Sequence, residues 1–360
     1  MALGNYINQS MSRWMEGDGP KSTVAISSRV RLARNMADLP FPGAANSKQL
    51  EEVRQRVKTL WEQKRLETLG EVRFMSMGEL SPPRRLALVD KHLISPGLAH
   101  QQYGAVLLNQ DESISIMVNE EDHLRIQALL PGLQLDKAWE LANRADDALA
   151  AGCGLAWNSQ RGYLTTCPTN VGTGMRASVM LHLPGLAWSN QLAQILGTAG
   201  KVGVVARGLY GEGSEAQGNV YQISNQITLG PSEMEIYRGL ERVASEIIRH
   251  EMEARQGLQQ QQQNALEDRV WRAYGLLANA RVIGSDEALE LLSALRLGID
   301  LGIIKNVNPE ILNVLLVFSR PGYLQQIFDR ELDAEERDIY RAQLIREIIT
   351  GENQGGANNV

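Results

Sequence analysis

Only two of the 360 residues are cysteine, Cys153 and Cys167, and their spacing suits neither a zinc site nor a redox pair. Both are read as free thiols in a reducing cytoplasm. Also missing is any apolar run long enough to cross a membrane, and the N-terminus carries no signal-peptide pattern. No G-x-x-x-x-G-K-[ST] occurs, so a P-loop is excluded. Positive charge is not in excess. The formal net charge is −6, which disfavours direct nucleic-acid binding but leaves room for a local basic site. What is present is ordinary for a globular chain, 43% hydrophobic and 22% charged, with length enough for one large domain and a smaller one.

The most irregular stretch runs from Tyr163 to Pro184. Pro168 pushes Cys167 toward an extended backbone. Gly172 and Gly174 bracket Thr173 and permit tight turning and close approach of a ligand. Arg176 then heads Ala-Ser-Val-Met-Leu-His-Leu, which reads as a strand. Gly172 to Ala177 also matches the G-x-G-x-x-A dinucleotide pattern. That pattern needs a following helix, and a β-leaning run ended by Pro184 argues against it.

Upstream, Arg29 and Arg31 alternate with Ser28, Val30 and Leu32, so a strand would aim both arginines to one face. Two readings compete there: a solvated charged face, or a cradle for a polyphosphate, which arginine forks suit. Leu50 to Leu69 has helical spacing and a packing role. His92, taken alone, is a structural histidine. Ala105–Asn109 and Ser113–Val118 read as strands. Asn119 is expected to cap a helix starting at Glu120, with Glu121 and Arg125 one turn apart on its face.

Leu133 to Ala151 reads as a helix ended by Gly152 and Gly154, and Val202 to Ala206 as a strand. The glycine-rich run from Arg207 to Asn219 is either a surface hairpin or, as we favour, a mobile lid. Tyr221–Leu229 alternates as a strand, and Ser232 caps a helix with Tyr237, Leu240, Ala244 and Ile247 inward. The glutamine-rich segment from Gln256 marks the boundary between domains 1–255 and 256–360. Beyond it, Leu266–Ala280, Asp286–Leu295 (with Ser285 as N-cap), Pro309–Val317 and Ala334–Ile349 read as helices.

The run C-P-T-N-V-G-T-G-M-R-A-S-V from Cys167 resembles the signature of the phosphagen (guanidino) kinases. S-S-R-V-R-L-A-R-N from Ser27 and N-E-E-D-H-L-R from Asn119 resemble that family's nucleotide-binding and catalytic-carboxylate segments. The resemblance spans about Val24 to Gln256. It implies an α+β fold in which helices surround a curved antiparallel sheet of the glutamine-synthetase-like kind, here followed by an all-α domain. It implies ATP and Mg²⁺ as cofactors, the Mg²⁺ held through the ATP phosphates with no protein metal site. The implied catalytic residues are Glu121, Glu212 and Cys167. The implied nucleotide contacts are Ser27, Ser28, Arg29, Val30 and Arg31, then His92 and Arg125. They continue through Arg176, Ala177, Ser178, Val179 and Met180, and end in the loop at Arg207, Gly208, Leu209, Tyr210, Gly211 and Glu212. Animal members commonly carry histidine where this chain has Met180, a departure at the adenine contact.

Chemistry agrees with that carry-over. A guanidinium is a delocalised, protonated and poor nucleophile. Phosphorylating it calls for carboxylates to hold it and accept a proton, and for cations to neutralise the phosphoryl charge. The short N-terminus and the appended helical domain resemble the bacterial branch that phosphorylates arginine side chains in proteins. Within that domain Arg337, Asp338, Arg341 and Ala342 resemble the branch's R-D-x-x-R-A phosphoarginine-binding, regulatory motif. A salt-bridged helix surface is the competing reading. The branch implies protein substrates with exposed arginine, marking for a Clp-type protease, a stress-response repressor as target and a zinc-binding activator protein. A homodimer rests on general frequency alone. The alternatives are a kinase for a free guanidino metabolite and a catalytically silent phosphoarginine-binding adaptor.

Overall fold

The computed structural model describes residues 11–208, 217–305, 307–328 and 330–350. Its centre is one antiparallel sheet of eight strands in the order β2-β3-β4-β5-β1-β8-β10-β9. These are β1 (Ala25–Arg34), β2 (Val72–Ser76), β3 (Ala105–Asn109), β4 (Ile114–Val118), β5 (Leu124–Pro131), β8 (Met175–His182), β9 (Val204–Gly208) and β10 (Val220–Asn225). The ribbon β6 (Trp157–Asn158) and β7 (Gly162–Tyr163) stands apart from it. The fold is therefore α+β, and no helix follows Gly174 as a dinucleotide site would need. β8 does.

Period-2 patterning sets the two faces of the sheet. Val30 and Leu32, Ile126 and Ala128, Ala177 and Val179, and Ile223 form its buried back. Against this back pack α4 (Leu135–Cys153), through Ala138, Ala142, Ala145 and Leu149, and α7 (Glu233–Gln261), through Leu240, Ala244 and Ile247. Each large aliphatic side chain buried here contributes roughly 1.5–3 kcal/mol. α7 opens with a capping box between Ser232 and Glu235.

The remaining helices are α1 (Ser47–Glu62), α2 (Pro82–Asp90), α3 (Pro96–Ala99), α5 (Pro184–Trp188), α6 (Leu192–Gly200), α8 (Gln263–Asn279), α9 (Ser285–Asp300), α10 (Ile311–Phe318), α11 (Pro321–Phe328) and α12 (Ala334–Thr350). α7 runs straight through position 255, and the helix breaks only at Gln262 (φ −135°, ψ 32°). A buried ionic network ties the helical unit to the sheet. Arg255 pairs with Glu251 at 2.6 Å and Asp300 at 3.0 Å, and Arg296 pairs with Asp300 at 2.8 Å. Arg255 also donates to the carbonyls of Thr23 and His182, and Glu251 accepts from the amides of Gly185 and Leu186.

Several expectations need correction. Residues 119–123 form a bend leading into β5 rather than a helix, because Asn119 adopts φ +57° and Leu124–Leu130 alternate into the sheet. α1 stops at Glu62, since Lys64 turns left-handed at φ +59°. β10 stops at Asn225, whose amide side chain bonds the carbonyls of Met175 and Ile227 and the amide of Ala177. At α9 the cap is Gly284, and α11 was not anticipated.

Candidate active site

Strand register gathers the arginines. Arg31 on β1 lies opposite Gln127 of β5 and Arg176 of β8. Arg125 lies opposite Ala33, Arg29 opposite Ser178, and Arg207 of β9 opposite Gln222 of β10. Directly opposed residues in antiparallel strands share a face. Arg29, Arg31, Arg125, Arg176 and Arg207 therefore all point to the face away from the core. Four of them, with Glu121, Cys167, Thr169, Asn170 and Gly174, line a cavity of roughly 460 Å³; Arg29 lies just beyond it.

The crowding of cations has an electrostatic consequence. Burial, then Arg125 and Arg176, pushes the Arg29 guanidinium down to about 10. Burial, then Arg29, Arg125 and Arg176, lowers Arg31 well below its usual range, with Glu120 opposing. The Nε of Arg31 is buried without a hydrogen-bond partner. A polyphosphate in the cavity would relieve the mutual repulsion and satisfy that nitrogen, each charge-assisted bond being stronger than a neutral one.

The acidic wall is tied to this cage. Arg125 Nη2 lies 2.7 Å from Glu120 Oε2 and 3.0 Å from Glu121 Oε2. Glu120 is held in turn by Ser95 Oγ at 2.7 Å. Next in sequence, Asp122 accepts from Asn35 Nδ2 at 2.6 Å and from the amide of Thr166 at 2.7 Å. That clamp sets Glu121 and Cys167 on neighbouring walls of one cavity. The Cys167 thiol meets Thr169 Oγ1 at 3.0 Å. Glu121 is 40% exposed, so a guanidinium can reach it from solvent.

The signature loop is bound down by close contacts. Gly172 (φ +114°) lies so near Thr228 that a Cβ would stand 2.3 Å from its carbonyl oxygen. Arg34, buried, pairs with Asp146 at 2.7 Å, stacks 3.5 Å over the Tyr163 ring and donates to Thr173 O. This is the one arginine of β1 that works as scaffold.

A second cavity of roughly 320 Å³ continues the first, sharing Arg31, Arg125 and Arg207 and adding Arg29, His92, Gln222, Leu316 and Arg320. A narrow extension is lined by Ser27, Ser178 and Met180. His92 has φ +59°, rests 5.6 Å from the Trp14 ring, and is held neutral: burial, then Arg29 and Arg320, pushes it down to about 3.

The carried-over residues thus divide. Arg29, Arg31, Arg125, Arg176, Arg207, Glu121, Cys167, Ser27, Ser178, Met180 and His92 converge on the connected cavities. Ser28, Val30, Ala177 and Val179 face the opposite side. Ser28 Oγ bonds Gly132 O, and the other three side chains are in the core. Gly208 pairs with Tyr221, out of register with the arginine face. Leu209, Tyr210, Gly211 and Glu212 lie outside the described residues. The structure adds Thr169, Gln222 and Arg320 to the cavity walls and Glu120 beside Arg125; Glu120 adjoins Glu121 in sequence, whereas Arg320 carries no local signal. In the helical unit, Arg341 is buried, donating to Ser319 O and Ile283 O at 2.8 Å and pairing with Asp338. Arg337 donates to Leu332 O, and Ala342 is buried.

Residues 52–254 match the family "ATP:guanido phosphotransferase, C-terminal catalytic domain", and residues 263–359 match "Protein-arginine kinase McsB C-terminal domain". The chain therefore belongs to the ATP:guanido phosphotransferases, a family of enzymes. Within them it falls among the protein-arginine kinases. It is 51% identical to the protein-arginine kinase of Pelotomaculum thermopropionicum over 96% of this chain and 98% of that one. It is 49% identical to that of Brevibacillus brevis over 97% and 98%. Among solved structures, a lombricine kinase superposes with a TM-score of 0.58 at 24% identity, covering 69% of this chain and 70% of that one. A duplicated taurocyamine kinase from Schistosoma mansoni, with bound transition-state-analogue components, gives 0.56 at 24% identity, covering 72% and 35%. These two share the fold.

Proposed function

We propose that the chain transfers the γ-phosphoryl group of ATP to arginine side chains of proteins. The observation that carries this reading is the union in connected cavities of five sheet-borne arginines with Glu121 and Cys167. In the proposed step the guanidinium enters beside Glu121 and Cys167. A nitrogen–phosphorus bond forms as the bond from phosphorus to the β–γ bridging oxygen breaks, and the guanidinium proton passes to a carboxylate, Glu121 or Glu212. Arg31, Arg125, Arg176 and Arg207 hold the transferring group in line and offset its charge. Cationic side chains suit phosphate oxygens directly and a divalent cation only through them. Mg²⁺ would accordingly ride on the nucleotide, where it neutralises the β- and γ-phosphates.

Phosphoarginine binding at Arg337, Asp338, Arg341 and Ala342 belongs to the same reading. A phosphate there would compete with the carbonyls of Ser319 and Ile283 for Arg341. Marking of substrates for Clp-type proteolysis, silencing of a stress repressor, a zinc-binding activator and a cytoplasmic setting follow from the family resemblance, with domain 1–255 catalytic and 256–360 regulatory. The test is incubation with ATP, Mg²⁺ and an arginine-rich protein. Acid-labile phosphate on arginine, abolished in Glu121→Gln, supports the proposal; label on serine or threonine, or none, refutes it.

A further inference from the structure

The helical unit reaches into the nucleotide cavity. Leu316 and Arg320, at the corner between α10 and α11, line it together with Arg29, Arg31 and His92. Nothing in the strand pattern supplies this arginine; it comes from the far end of the chain.

Its position is built rather than incidental. α11 is clamped onto α2 by Gly322, where a Cβ would stand 2.6 Å from the backbone of Leu86. The Asp90 carboxylate accepts the Tyr323 amide at 3.0 Å. Arg341 donates to the carbonyl of Ser319, the residue before Arg320. Arg320 Nη1 lies 3.3 Å from Ser285 Oγ. Its charge is felt at the cavity wall, contributing to the depression of His92 and opposing the elevation of Asp90.

The two cavities give a direction. Cys167, Glu121 and Arg176 line only the first, His92 and Arg320 only the second, and Arg31, Arg125 and Arg207 line both. With the transferred phosphoryl beside Cys167, the rest of the nucleotide extends toward Arg320. We infer that Arg320 is a sixth arginine of the nucleotide site, contributed by the helical unit, and that it binds the end of the nucleotide remote from the γ-phosphate. This rests on the nucleotide reading of the cavities. It makes docking of α10 and α11 part of nucleotide binding.

The test is calorimetric titration of the full chain with Mg·ADP and Mg·ATP in wild type, Arg320→Gln, Arg320→Lys, Arg176→Gln and Arg29→Gln. Arg320→Gln should weaken ADP and ATP alike, by about tenfold, the loss expected for one charge-assisted contact. Arg320→Lys should lose less, and Arg176→Gln should cost ATP more than ADP. In the wild-type chain, hydrogen exchange of residues 316–324 should slow when ADP binds, a readout independent of any variant's folding. Unchanged affinities in Arg320→Gln, a loss confined to ATP, or no protection at 316–324 would overturn the inference. If those results came with a loss in Arg29→Gln, the nucleotide reading would survive. Unchanged binding in Arg29→Gln as well would sink both.

Discussion

Arg125 and Glu121 meet at 3.0 Å across a bend, joining the phosphate cage to the acidic wall. The contact matters because each group is suited to a different substrate: the arginine to a phosphate, the glutamate to a guanidinium. Binding of both substrates would exchange this internal pair for two external ones.

Glu121→Gln should therefore separate chemistry from nucleotide binding. The amide retains a hydrogen-bonding oxygen for Arg125 but cannot take a proton. We expect kcat to fall on the order of 10²–10⁴-fold, with the Kd for Mg·ATP changed little. Steady-state kinetics beside nucleotide titration measures both. Equal loss in each would mean that Glu121 mainly organises the cage.

Cys167→Ala should be milder. The thiol meets a neutral hydroxyl, Thr169 Oγ1, and lines the cavity, whereas proton acceptance falls to the carboxylates. A loss on the order of tenfold in kcat, about 1.4 kcal/mol of barrier, is expected. Undetectable activity would put Cys167 on a level with the carboxylates.

Acid sensitivity should report on His92 and Asp90, which act in opposite directions. His92 falls from its usual 6.5 to about 3, through burial and then Arg29 and Arg320. The unfolded chain binds this proton first, so stability drops as pH falls from about 6.5 toward 3. Asp90 rises from 3.8 to about 6, chiefly through burial. The folded chain keeps its proton longer, so this contribution falls as pH rises through that interval. His92→Gln should flatten the acid limb of Tm against pH. Asp90→Asn, which keeps an acceptor for the Tyr323 amide, should steepen it. The reverse pattern would contradict the assignment.

Gly172→Ala should destabilise by more than about 1 kcal/mol, because φ is +114° and the added Cβ meets Thr228 O at 2.3 Å. Thermal unfolding checks it, and activity should fall as the Cys167 loop shifts.

Asp300→Ala should loosen the helical unit from the sheet. It strips Arg255 and Arg296 of a shared buried carboxylate. Removing one partner of such a pair costs about 3–5 kcal/mol. An unchanged Tm would show that the apolar packing alone holds the two parts together.

The arginine face was half legible. Period 2 in β1 gives the common direction of Arg29 and Arg31, but their meeting with Arg125, Arg176 and Arg207 depends on register between strands distant in sequence. The same period also turns the side chains of Ser28, Val30, Ala177 and Val179 to the opposite face of the sheet, which a segment-long resemblance does not distinguish. Asn119 followed by three acids looks like a helix start; pairing of Leu124–Pro131 with two neighbours overrode the local preference. Arg320 could not be read locally at all, since its place depends on how α11 lies across α2.

The central claim is tested most directly by offering one preparation, with Mg·ATP, an arginine-rich protein and free L-arginine in competition, and following acid-labile phosphate on each. Label on protein arginine, lost in Glu121→Gln, is the predicted result. Label confined to the free amino acid would contradict it and make the chain a kinase of a small guanidino compound.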